Sequence, residues 1–232
     1  MQREAALKIS GSRSFRVLRK DENERPQGKG GIVEILKGCL PVTRDRDVNV
    51  YRLKNFRNIW RGLRTLLLHA ILRPIGIQRP IYGTVFAKVI RGNGSIVNLG
   101  IISLRVVTDT GVGFIVDAFQ NTVEVENLKF HGYGTGTNAE AAGNTALQTE
   151  LTTQYATDNT RPTGSTTEGA SANIYRSVAT LSPDASVAIT EHGMFSANSG
   201  GVLFDRSVFS AINLTNVDSL QTTYDLTVPS GG

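Results

Sequence analysis

Few residues of this 232-residue chain could do chemistry: three histidines, one cysteine and a scatter of carboxylates. Glu191 and His192 are neighbours in an alternating stretch, and neighbours in a strand face opposite ways. They cannot hold one metal ion from one face. No His-x-His or H-E-x-x-H occurs, and no spacing in the sequence brings His131 to them. Gly132, Gly134 and Gly136 could suggest a phosphate cradle, but G-x-G-x-x-G spacing is missing and no Lys-Ser or Lys-Thr follows. They read as turn glycines where a strand gives way to a helix. There is no G-x-S-x-G elbow for a serine nucleophile, and the carboxylates nominate no acid–base pair. Cys39, the single cysteine, permits neither an internal disulfide nor a Cys-x-x-Cys pair and reads as a small buried apolar residue. The expectation is a protein that is not an enzyme, with no metal and no cofactor.

The elements that would position any site are mainly strands. Residues 186–195 alternate, Asn198-Ser-Gly-Gly201 supplies a turn in which Gly200 and Gly201 tolerate positive φ, and residues 202–212 alternate again. A last strand puts Leu220, Tyr224, Leu226 and Val228 on one side, with only Thr222 polar in that row. Earlier, residues 85–90 and 95–99 flank Arg91-Gly-Asn-Gly94, a second hairpin signal, and residues 101–107 form a further strand. Asp109 or Thr110 is placed to cap a short helix to Phe119, with Phe114, Ile115, Ala118 and Phe119 inward. Residues 123–130 alternate as a strand, and Asn144 or Thr145 can open a second short helix through Leu147 and Leu151. Residues 155–173 form a surface loop, and residues 174–181 alternate once more. Abundant Gly, Thr, Ser and Asn suits such a turn-rich fold. The reading is an antiparallel β-sandwich or jelly-roll-like body over 81–232, carrying two short helices.

Charge divides the chain. Residues 1–80 carry 18 Lys and Arg against 7 Asp and Glu, a balance of +11, and residues 81–232 carry 7 against 13, a balance of −6. Such asymmetry points to a partner for one half, or to attraction between copies. Residues 1–53, broken by Gly and Pro and without sustained periodicity apart from the short apolar island 32–36, read as an extended basic arm. Residues 54–80 read as an amphipathic helix and linker, the helix ended by Pro74. Its apolar stripe is Phe56, Ile59, Trp60, Leu63, Leu66, Leu67, Ala70 and Ile71, and Lys54, Arg57, Arg61 and Arg64 occupy the other face. That stripe can pack on the body or a neighbouring subunit. The cationic row can instead meet phosphates, or the helix can lie on a membrane surface. No leading apolar run serves as a secretory signal, and no segment reaches the length of apolar residues that spans a bilayer.

From Val106 onward the order of features resembles small virion structural proteins of tailed bacteriophages. The resemblance lies in Val107-Thr108, residues 113–119, Phe130-His-Gly-Tyr-Gly-Thr-Gly-Thr137, Thr145-Ala-Leu-Gln-Thr-Glu-Leu151, Ile189-Thr-Glu-His-Gly-Met-Phe195 and Gly200-Gly-Val-Leu-Phe204. It covers a little over half the chain and implies a passive building block of the virion. Within that family the expected role is capsid cement or decoration, with a tail, baseplate or adaptor component as the alternative. Expected partners are the major capsid protein or other virion proteins and further copies of the chain, a trimer by guess, with nucleic acid the lesser prospect and no membrane. The expected assembly residues are Lys54, Arg57, Trp60, Arg61, Leu63, Arg64 and Leu67.

Overall fold

The computed structural model describes residues 45–72, 80–155 and 159–229. Cys39, the island 32–36, Pro74 and the first 44 residues of the basic arm lie outside the described residues.

Helix α1 spans Arg46–Leu72. It starts eight residues before the expected Lys54, so residues 46–53, expected to be extended, are helical. The start is set by Asp45, whose carboxylate accepts from the amides of Asp47 (2.9 Å) and Val48 (3.2 Å) and so satisfies two donors left over at the helix N-terminus. Strands β1 (Tyr82–Ile90) and β2 (Ile96–Val106) form the first hairpin. β2 is one strand where two were expected, because Gly100, with φ at 74°, takes up an irregularity in register without ending the pairing. Helix α2 (Asp109–Phe119) is capped by Thr108, one residue earlier than expected, through its hydroxyl accepting from Gly111 N at 3.0 Å. Phe114 is inward, whereas Phe119 is 87% exposed and not inward.

Residues 123–130 are not a strand. Val125–Asn127 is a single 3-10 turn, and pairing begins only with β3 (Phe130–Gly134). The helix expected over Asn144 to Leu151 does not form. Its backbone amides are held elsewhere, as described below. β4 (Ser165–Glu168) is a short exposed strand within the region expected to be loop. β5 (Ile174–Leu181), β6 (Val187–Phe195), β7 (Leu203–Leu214) and β8 (Ser219–Thr227) complete the body. Gly200 (φ 60°) and Gly201 (φ 74°) turn the chain from β6 to β7 as their sequence demands.

The body is mainly β and antiparallel: a five-stranded sheet in the order β2-β1-β8-β5-β4 faces a three-stranded sheet in the order β3-β6-β7. Alternation puts Val85, Ala87 and Val89 of β1 and Leu220, Tyr224 and Leu226 of β8 into one core between them, and Ile189 and Met194 of β6 join it because the register shifts between Ile189 and Glu191. α1 belongs to this body. It lies across the edge strands of both sheets, β2 and β7, with Ile59 against Ile101 and Leu63 and Leu66 against Leu104. Each such side chain contributes about 1.5–3 kcal/mol on burial.

The contact is also polar. Asn55 Nδ2 donates to the carbonyl of Ile102 on β2 (2.7 Å), and Asn55 Oδ1 accepts from Ser210 N on β7 (2.9 Å). Arg52 Nε donates to the carbonyl of Leu99 at 3.0 Å. These side chains engage backbone groups that an edge strand would otherwise leave open.

Candidate interaction surface

The residue types that could support catalysis do converge, but in a sealed place. β3 turns His131 and Tyr133 into the space between the sheets, and β6 brings His192 opposite. His131 Nδ1 lies 3.0 Å from His192 Nε2 and 3.1 Å from Thr222 Oγ1, while His131 Nε2 lies 2.9 Å from Ser177 Oγ. Thr222 also bonds the Tyr133 hydroxyl at 2.7 Å, and on the same seam Tyr224 donates to Asp205 Oδ2 at 3.3 Å. No local pattern signals this pairing, since 61 residues separate the two histidines and only the register of β3 on β6 joins them.

His131 with Ser177 has the separation of a base with its nucleophile, yet both are wholly buried, with no path for a substrate. Burial holds His192 down to about 3 and His131 well below its ordinary value, the latter also opposed by its neighbour's charge. Burial pushes the Asp205 carboxyl up to about 7. The two histidines are therefore neutral, and the bonds of His131 to Ser177 and Thr222 tether the two sheets, while the buried Nδ1 of His192 has no partner among the described residues. Among the described residues no group of three His, Cys, Asp or Glu could hold a metal ion.

Glu191 points to the other side of its strand, as the alternation required. Its carboxylate takes Gly136 N (3.0 Å), Thr149 N (2.7 Å) and Gln148 N (3.0 Å), and pairs with Arg206, whose Nη2 lies at 2.8 Å. The amides of Gln148 and Thr149 belong to the segment expected to be helical, so the carboxylate competes with the helix for them and holds it open. The glycines are explained by the same group. A Cβ on Gly134 or Gly136 would come within 2.5 Å of Glu191 Oε1, and one on Gly132 would strike the Phe195 ring. Gly132 and Gly134 lie within β3 and Gly136 follows it, so they serve close approach and are not the turn glycines expected.

The surface left open is the outer face of α1. Lys54, Arg57, Arg61 and Arg64 are exposed, and among the described residues none of them is in an ion pair. Trp60 is 45% exposed with its ring stacked on Phe56 at 5.9 Å, and Leu53, Leu68 and Ile71 are exposed on the same helix. The expected separation into an apolar and a cationic face is thus only half realised. Ile59, Leu63 and Leu66 face inward, Trp60 and Ile71 face outward among the cations, and Leu67 is half-buried. Leu63 is wholly buried against the body and is not an assembly residue.

Beside this face a cleft of about 320 Å³ runs between α1 and residues 139–142, lined by Arg61, Thr65, Arg105, Thr108, Glu140 and Arg206. Its buried cations are already neutralised, Arg105 by Glu140 and Arg206 by Glu191. Among the described residues no helix is long and apolar enough to cross a membrane. No protein-family model and no curated protein matches the chain. The fold and the open helix define it as an antiparallel β-sandwich with a helix docked across one corner.

Proposed function

We propose that the chain is a structural subunit of a tailed-phage particle, most specifically a capsid cement or decoration protein. In this reading the sandwich is the outer body, the basic residues ahead of α1 engage the shell, and the outer face of α1 reaches an adjacent subunit. The observation that carries it is that face: stacked Phe56 and Trp60 rings held open among Lys54, Arg57, Arg61 and Arg64, on a helix whose other side is fixed to the body. Exposed aromatic residues with arginine are the composition of an interface centre. The sealed histidine seam supports a role without catalysis.

The test is occupancy of empty shells by the full chain and by a chain beginning at Asp45, which keeps the cap of α1. Loss of binding in the shorter chain is the expected result, and equal occupancy counts against the leader as the attachment. The interleaving of arginines with stacked rings also favours a second reading, contact with nucleic acid. That reading requires affinity for DNA in solution falling steeply with added salt.

A further inference from the structure

We propose that the chain associates with itself head to tail, the outer face of α1 on one copy docking on the surface formed by α2 and the 3-10 turn of the next. The inference deepens the reading above by naming what α1 meets, and it holds for the isolated protein whether or not a shell is involved.

The argument begins with what the body leaves unpaired. Half of the carboxylates among its described residues are used internally: Glu140 on Arg105, Glu150 on Arg161, Glu191 on Arg206, Asp218 on Arg91 and Asp225 on Arg176, with Asp205 buried. Of its six that are exposed among the described residues, four gather on a single stretch, as Asp109, Asp117, Glu124 and Glu126, while Glu168 and Asp184 lie apart from it, and no Lys or Arg lies between Val107 and Leu128. None of the four is in an ion pair among the described residues. The same stretch exposes apolar side chains that its own fold does not cover: Val112, Val116 and Phe119 at i, i+4 and i+7 along α2, then Val125. Phe119, at 87%, is the most exposed large apolar residue described.

α1 presents the complement. Among the described residues its exposed cations are in no ion pair, its exposed apolar residues include Trp60, Leu53 and Ile71, and its one acid, Asp47, sits in the first turn. Leu53 to Ile71 extends about 27 Å at 1.5 Å per residue, enough for α2 at about 16 Å with the turn beside it. Acid on base and ring on valine therefore coincide at matching length, and a second copy supplies both. Because the two surfaces are different, the contact is heterologous. It closes into a ring if the rotation between copies allows and otherwise extends as a chain.

The experiment uses the full chain with two sets of substitutions at exposed positions. The first, Arg57→Glu with Arg64→Glu, spoils α1. The second, Asp117→Lys with Phe119→Ser, spoils the α2 surface. Sedimentation of the unaltered chain at low salt should give oligomers, with an affinity that falls as salt is added. Each variant alone should be a monomer, its self-affinity reduced by about tenfold or more, with a melting curve like the parent's. Mixed one to one, the variants should form a dimer and stop, because each keeps the surface the other lacks. Trp60, the only tryptophan, should shift its emission to the blue in that dimer, and only where the intact α1 is engaged.

A parent chain that stays monomeric at low salt overturns the proposal, and so does a mixture no larger than its components. Binding of duplex DNA at Trp60 by a protein that does not associate would assign the face to nucleic acid and overturn it equally. Shell binding without self-association would remove this inference and leave the structural role standing. Self-association without shell binding would do the reverse.

Discussion

Two buried groups of residues govern how this molecule responds to substitution and to pH. Arg206 is almost wholly buried and its charge is balanced by Glu191, so Glu191→Ala leaves an uncompensated cation and three amides without their acceptor. A loss of about 3–5 kcal/mol is expected, read as a lower urea midpoint. In the histidine seam the folded state refuses protons that the unfolded chain accepts below pH 6.5. The stability due to His131 and His192 is therefore complete above that pH and is lost as pH falls, for His192 until about 3. Asp205 works in the opposite sense. Its folded value near 7 lies above its unfolded value, so its contribution is present at low pH and is lost as pH rises through 7. Between about pH 6 and 4, the histidines are set against one carboxyl, and the protein loses stability as pH falls. Asp205→Asn removes the opposing group, and its urea midpoints across that range should fall more steeply. Parallel slopes for the two proteins would show that Asp205 is ionised in the fold.

At the scale of elements, α1 is the part whose attachment can be tested by one atom. A Cβ on Gly62 would lie 1.7 Å from the carbonyl oxygen of Leu104, backbone that cannot swing aside. Gly62→Val should lift the helix from β2 at a cost of about 3 kcal/mol. Ile71→Ser, on the open side, should stay within about 0.5 kcal/mol, both read by thermal unfolding. The sequence disclosed the hairpins, the closing strands and α2, because turn residues and period-2 alternation are local signals. It hid the true seat of α1, since that seat uses Arg52 and Asn55, polar residues that satisfy strand edges and break the apolar stripe. Asp45 was the available signal for the helix start. The stretch around Leu147 misled for a related reason: its spacing suits a helix, but Glu191, more than 40 residues away, takes its amides. The site was legible as a set of exposed cations, while the partition of Trp60 from Leu63 depended on which stripe the body received.

For the molecule as a whole, α1 is what separates a finished sandwich from one with two raw corners. A chain begun at Pro80 would bare Ile101, Leu104 and the edges of β2 and β7 together. It should scatter light and precipitate at concentrations where the full chain stays clear. The bond from Asn55 to Ser210 has a further consequence for biosynthesis. Its two ends lie 155 residues apart, so at about 5–20 residues per second the helix leaves the ribosome roughly 10–30 s before its seat on β7 has been translated. Ile59, Leu63 and Leu66 find Ile101 and Leu104 of β2 about 40 residues after them. Through the rest of the delay Asn55 Oδ1 and the side of α1 that meets β7 stay uncovered alongside the Trp60 face, and the nascent chain is at its most adhesive before β7 arrives.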